Sequence, residues 1–174
     1  MFLYIPQFLS ASDHRHLLDE LSGVPLADES NPMAPGRLRT FIPPGTMVHH
    51  VFTSPQLTEY FSHVFSTRLE PAALQAPHRR TIPIEYRKYE VGGGGMKWHR
   101  DVSLIGRQYE CVYTLTNTSD SYTMRRDLFG RERAVWAEPN SLIVVRAQGV
   151  MHGVTPVTTG ERTIVKFAFC DLKS

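Results

Sequence analysis

From residue 82 onward the chain is a succession of short runs rich in Val, Ile, Thr, Tyr and Phe, each bounded by turn residues. The runs cover 82–90, 96–101, 109–116, 121–126, 134–137, 141–146, 151–157 and 161–169. Segments of this length and composition are candidate strands. With few helical signals between them, they suggest a closed or double-sheet antiparallel fold such as a jelly roll.

The first third has a different texture. Ser10 and Ser12 offer N-caps for a helix near 13–22, where Leu17, Leu18 and Leu21 share one face. Residues 23–37 carry Pro25, Pro32, Pro35 and Gly36 and read as a surface connection. Ser54-Pro55 opens a second helix, with Leu57, Tyr60, Phe61, Val64 and Phe65 at helical spacing. The expectation is one domain over 1–174, mainly β with N-terminal helices: a helical support region over 1–80 and a β core over 81–174.

The formal charge of +2 neither demands nor excludes a nucleic-acid partner. Cys111 and Cys170 sit in apolar, strand-like surroundings, and two cysteines make no disulfide framework, so buried thiols are expected. MFLYIPQFLSASDHR has no basic start and no long apolar run, and no later stretch is long enough to span a membrane. A cytoplasmic location is the expectation.

In an extended segment, residues two apart point to the same face, so His99 and Asp101 can converge on one metal while Arg100 points away. His-x-Asp alone is a weak signal among eight histidines. His152, in the run 151–157, supplies a third ligand. Two histidines and a carboxylate on one face of an ion leave its other positions open, as in non-haem Fe(II) oxygenases.

Thr158-Thr159-Gly160, between the last two runs, reads as a three-residue hairpin loop with its glycine left-handed. In that hairpin Val157 faces Glu161, Pro156 faces Arg162 and His152 faces Lys166, so Arg162 points to the same side as His152. The two lie four residues apart along the ladder, about 13 Å. That gap suits a short dicarboxylate chelating the metal at one end and meeting a guanidinium at the other.

The order His99-x-Asp101, His152, then Arg162 resembles the Fe(II)/2-oxoglutarate-dependent dioxygenase superfamily. HGVTPVTTGERTIVKFAF is similar to the last two core strands of prolyl 4-hydroxylase-type members, and FLSASDHRHLLDEL to the way those domains begin. The resemblance implies a double-stranded β-helix, a jelly-roll variant. It implies Fe(II) on His99, Asp101 and His152, with 2-oxoglutarate as co-substrate and dioxygen as oxidant. The reaction would be hydroxylation coupled to decarboxylation to succinate. It also makes Tyr89 a candidate 2-oxoglutarate contact, ten residues before His99, beside the alternative of a tyrosine packed on the core. Tyr113 and Thr114 fall on the strand expected to line the co-substrate pocket, and only one can point inward.

The chain departs from the family patterns in two places. Prolyl hydroxylases carry a Gly-Gly-x-Thr stretch between the halves of the iron site, where this chain has SDSYTMRRDLFG. That spacing and Trp98-His99 are similar to AlkB-type nucleic-acid demethylases, whose second arginine is replaced here by Ala168. A prolyl, peptidyl or amino acid-like substrate is the first reading. Oxidative demethylation of nucleic acid is the alternative, disfavoured because no basic run is interleaved with aromatics. A non-catalytic, cupin-like metal protein is the third, and Arg162 at its spacing argues against it.

Gly92–Gly95 reads either as a flap closing over substrate or as a plain hairpin loop. His14, His16, His63 and His78 read as inert, and the adjacent His49-His50 cannot share one strand face, which disfavours a second metal site. Arg79-Arg80 and Arg125-Arg126 read as solvated charge, with recognition of an acidic group as the minor alternative.

Overall fold

The computed structural model describes residues 1–76, 79–103 and 106–171. His78 therefore lies outside the described residues. The helices are α1 (Ala11–Leu21), α2 (Met47–Phe52) and α3 (Pro55–Val64). Ser10 caps α1 by accepting from Asp13 N, and Ser54 caps α3 by accepting from Leu57 N, with Pro55 in the first turn. Both caps satisfy amide donors that a helix start leaves open. The sequence did not point to α2, a six-residue helix carrying His49 and His50. That pair thus sits on a helix and not on a strand.

The strands in chain order are β1 (Phe2–Ile5), β2 (Ala27–Asp28), β3 (Leu38–Phe41), β4 (Leu69–Pro71), β5 (Leu74–Ala76), β6 (Arg79–Thr81) and β7 (Glu85–Tyr89). They continue with β8 (Met96–His99), β9 (Gln108–Asn117), β10 (Thr123–Arg126) and β11 (Glu132–Val135). The last are β12 (Ser141–Arg146), β13 (His152–Val154) and β14 (Arg162–Asp171). Each of the eight runs read from the sequence overlaps one of the strands β7 to β14, with ends that differ by up to a few residues.

Among the described residues, the major sheet runs β1-β12-β9-β14-β7-β3-β2, with β4 also on β14; a four-stranded sheet runs β11-β10-β13-β8. All pairings are antiparallel. The small hairpin β5-β6 carries Arg79 and Arg80.

Alternation along the long strands assigns the two faces of the major sheet. Tyr109, Cys111, Tyr113 and Leu115 of β9, with Val165, Phe167 and Phe169 of β14, join the core under the helices. Leu17, Leu21, Val48, Phe52 and Phe61 cover them, and Phe52 stacks on Phe167 with ring centroids 4.5 Å apart. Each such fully buried side chain stabilises the fold by roughly 1.5–3 kcal/mol. The opposite face carries Glu110, Val112, Arg162, Ile164 and Lys166 toward a pocket. Both cysteines are buried. No helix among the described residues is long and apolar enough to cross a membrane.

Two expectations need correction. The first third is not simply helical and loop-like: β1, β2 and β3 extend the major sheet at its two ends. Short strands with mixed burial show no clean alternation, so their pattern is masked.

Nor do the last two strands form a hairpin. β13 pairs with β10 and β8, whereas β14 pairs with β9, β7 and β4. Gly160 does adopt the left-handed conformation (φ 69°), yet its turn carries the chain from one sheet to the other. Asp120 holds that turn by accepting from the amides of Thr158 and Thr159 at 2.9 and 3.1 Å. A turn signal reports that the chain reverses and is silent on which strands then pair.

Gly92–Gly95 is tied down on both sides. Gly94 N donates to Pro35 O at 2.9 Å and Gly92 N to Val157 O at 3.2 Å. A Cβ on Gly95 (φ 68°) would collide with the backbone of Val154 and Thr155. At Gly93 and Gly95 the missing Cβ allows backbone to pass against backbone, as the plain-loop reading of the tract requires.

Candidate functional site

His99 ends β8 and His152 begins β13, and the two are directly opposed across that ladder. Asp101 follows two residues after His99, and its carbonyl accepts from Gln148 N at 2.8 Å. Register and local chain direction thus bring the three side chains together. His99 Nε2 lies 3.6 Å from Asp101 Oδ1, His152 Nε2 lies 3.3 Å from Asp101 Oδ2, and the ligand atoms of all three fall within 4.8 Å of one another.

The donor set fits a divalent cation. His99 Nδ1 bonds Lys97 O at 2.8 Å and His152 Nδ1 bonds Val150 O at 3.2 Å. A carbonyl can only accept, so each Nδ1 holds the proton and each Nε2 presents its lone pair to the common point. His99 Nε2 and Asp101 Oδ2 are buried without a hydrogen-bond partner, a costly state that an ion would relieve.

Titration directions agree with this picture at His152 and Asp101, whereas that of His99 favours the protonated ring. Burial lowers the His152 pKa against the pull of Asp101, which favours the neutral, ligating ring. For Asp101, burial is outweighed by the adjacent His99 ring and the charges of His152 and Lys166, and the carboxyl is held below its usual range. His99 is raised, because its contacts with Asp101 and Lys97 O outweigh burial.

The pocket beside these ligands lies between the sheets. From the major sheet Arg162, Ile164, Tyr89 and Val112 face into it, and Thr123 and Val154 face it from the other wall. Arg162 is 1% exposed and sits between Tyr89 and Asn117 in register. Its Nη1 donates to Thr123 Oγ1 at 3.0 Å and its Nη2 to Thr114 Oγ1 at 3.5 Å, while Nε has no partner. No carboxylate among the described residues pairs with it, and burial depresses its pKa.

Thr114 and not Tyr113 therefore faces the pocket side. Tyr113 points to the helices, where its hydroxyl meets His14 Nδ1 at 2.6 Å and donates to Asn140 at 3.0 Å. Tyr89 lines the pocket, and its hydroxyl accepts from Arg37 Nη1 at 3.0 Å. His152 and Arg162 do meet at one cavity, from two sheets and not along one hairpin face.

Three groups escaped sequence reasoning. Thr123 lay in the run 121–126, where alternation could not say which residue faced in. Lys166 and Glu110 form a 3.1 Å ion pair on the pocket wall, and only the register of β9 against β14 reveals it. Arg37, in the stretch read as a surface connection, is 1% exposed. Its Nε and Nη2 grip Glu29 at 2.5 and 2.8 Å. Arg125 and Arg126 are not simply solvated: they lie over the rings of Phe2 and Trp98, each 4.8 Å from the centroid.

Glu29 gives this wall a pH dependence. Burial alone would raise its pKa, but hydrogen bonds from Arg37 and Asn31, with the Arg87 and Arg37 charges, lower it from 4.5 to about 2. The stabilisation is present above pH 4.5 and is lost as pH falls toward about 2. It amounts to roughly 3 kcal/mol. Glu29→Gln is expected to lose about that much at pH 7, with the gap to wild type closing toward pH 2. Urea unfolding at stepped pH checks this, and a gap that does not vary with pH would contradict it.

No protein-family model matches the chain, and no curated protein matches it. Solved structures do. A Pseudomonas putida prolyl-4-hydroxylase superposes with a TM-score of 0.76 at 18% identity, over 98% of this chain and 92% of that one. HygX from Streptomyces hygroscopicus, with nickel and 2-oxoglutarate bound, gives 0.73 at 12% identity, over 98% and 83%. A viral collagen prolyl hydroxylase from Paramecium Bursaria Chlorella virus-1, as its 2OG complex, gives 0.66 at 13% identity, over 97% and 96%. The chain has the double-stranded β-helix fold of these oxygenase structures.

Proposed function

We propose that this protein is an Fe(II)- and 2-oxoglutarate-dependent oxygenase that hydroxylates a C–H bond of a prolyl, peptidyl or amino acid-like substrate. One observation carries the reading. A two-histidine, one-carboxylate face opens onto a pocket that also holds a buried arginine with no carboxylate partner among the described residues. A store for metal alone has no use for that arginine, whereas a metal-chelating dicarboxylate satisfies both ends.

His99, Asp101 and His152 would hold the iron, and a bound ferrous ion would supply the dioxygen chemistry. The histidine Nδ1–H bonds to Lys97 O and Val150 O fix the rings and keep both Nε2 atoms aimed at the ion. Arg162 would receive the far carboxylate of 2-oxoglutarate, itself oriented by Thr123 and Thr114. Ile164, Val112 and Val154 exclude water along the way, which strengthens the charge pairing. The substrate class rests on fold likeness to prolyl hydroxylases and is the finer part of the proposal.

The test is anaerobic addition of Fe(II) and 2-oxoglutarate to metal-free protein. A visible charge-transfer band is expected. Iron binding without such a band would overturn the reading and leave a cupin-like metal protein. Succinate release above the uncoupled rate, measured with proline-containing peptides and with free amino acids, then tests the substrate class.

A further inference from the structure

Tyr89 stands beside Arg162 in register, and its hydroxyl is already engaged from behind. A phenol oxygen carries two lone pairs and one proton, whereas a guanidinium can only donate. Arg37 Nη1, 3.0 Å away, therefore occupies a lone pair and leaves the phenol proton to be given elsewhere. None of the described residues accepts it in a hydrogen bond, and the side chain lines the pocket.

Arg37 is held in place for this task. Two of its nitrogens are taken by Glu29, and Nη1 is shared between Tyr89 and Met96 Sδ, the latter at 3.4 Å. The segment before it is pinned as well: Lys97 N donates to Met33 O at 2.9 Å, and Glu29 N to Arg37 O at 3.0 Å. An ion pair that served stability alone would need only the two nitrogens on Glu29. The third contact ties a distant part of the chain to the hydroxyl of a pocket-lining side chain.

We infer that Arg37 is a positioning residue that sets the Tyr89 hydroxyl as a hydrogen-bond donor to the far carboxylate of the pocket's dicarboxylate, beside Arg162. The inference rests on the reading that this pocket takes 2-oxoglutarate. By this account Tyr89 touches the co-substrate, and Arg37 acts through Tyr89.

The test is a double-variant cycle read by calorimetry on Mn(II)-loaded protein, with N-oxalylglycine as an unreactive dicarboxylate. Oxalate, which reaches the metal but not the far end, serves as comparator. Tyr89→Phe and Arg37→Gln are each expected to weaken oxalylglycine roughly 10-fold, about one hydrogen bond. The double variant should be no weaker than either alone, and oxalate affinity should not move.

Effects that multiply to roughly 100-fold would overturn the inference, since they would make the two residues independent. A parallel loss of oxalate affinity would also overturn it and assign Arg37 a structural role. If Arg37→Gln does not fold, Arg37→Lys carries the same cycle, because one ammonium cannot bridge Glu29 and Tyr89 as the guanidinium does. Wild-type protein that takes oxalate but not oxalylglycine would instead overturn the 2-oxoglutarate reading itself.

Discussion

Arg162→Met is expected to raise the melting temperature of the ligand-free protein while removing most of its affinity for 2-oxoglutarate. The guanidinium is buried, lacks a carboxylate partner among the described residues, and keeps one nitrogen unsatisfied. An uncompensated buried charge is held against its solvation cost, and hydrophobic replacement of buried charges commonly stabilises by about 1–4 kcal/mol. For a chain of this size that corresponds to a rise of several degrees, at about 2–4 °C per kcal/mol. Methionine adapts to the apolar wall of Ile164 and Val112.

The same change removes the guanidinium proposed to pair with the far carboxylate. Loss of one partner of a buried, hydrogen-bonded charge pair costs about 2–5 kcal/mol, on the order of 100-fold in affinity. Differential scanning fluorimetry with and without oxalylglycine reads both effects. A lower melting temperature for ligand-free Arg162→Met, or an undiminished ligand-induced shift, would count against the role given to this arginine.

The second large effect is at Asp101. Asp101→Ala should abolish 2-oxoglutarate-dependent succinate formation and weaken divalent-ion binding more than about 100-fold, since even outer partners of metal ligands are worth about 10–100-fold. The carboxylate lies within reach of both histidine Nε2 atoms, so its loss opens the site from the middle. The metal-free variant should stay folded, because the strands bearing His99 and His152 keep their pairing to each other and to β10. Isothermal titration with Mn(II) tests the binding arm. Wild-type affinity in the variant would show that the cluster is not the metal centre.

Much of this site was legible in the sequence, for a physical reason. His99 and Asp101 are two residues apart, a spacing that an extended reading of 96–101 puts on one face; β8 ends at His99, and Asp101 still comes within reach from the segment that follows. The candidate strands after residue 82 were legible from composition: runs such as 109–116 and 161–169 are rich in β-branched and aromatic residues between turn signals, and they overlap long, largely buried strands.

Pairing was not legible. A short-range pattern names strands and does not name neighbours, so Gly160 correctly marked a turn while the assumed hairpin was wrong. Arg37 shows the same limit from another side. Its proline- and glycine-rich neighbourhood reads as surface, and its burial depends on Glu29 and on Tyr89, 52 residues away. Contacts of that range belong to the fold and leave no local trace.

The division of the site between two sheets has a further consequence. The metal-side histidines are carried by one sheet and the guanidinium by the other, so the reach demanded of a bound diacid is a spacing between layers, near 10 Å in packed sheets. The cavity is in that sense a caliper whose jaws are whole sheets. Trimming or enlarging a pocket-lining filler such as Val154 or Ile143 would reset the gauge and with it the chain length of the acid accepted. A diacid that spans the jaws would in turn act as a cross-brace, adding its binding energy to the cohesion of the two layers.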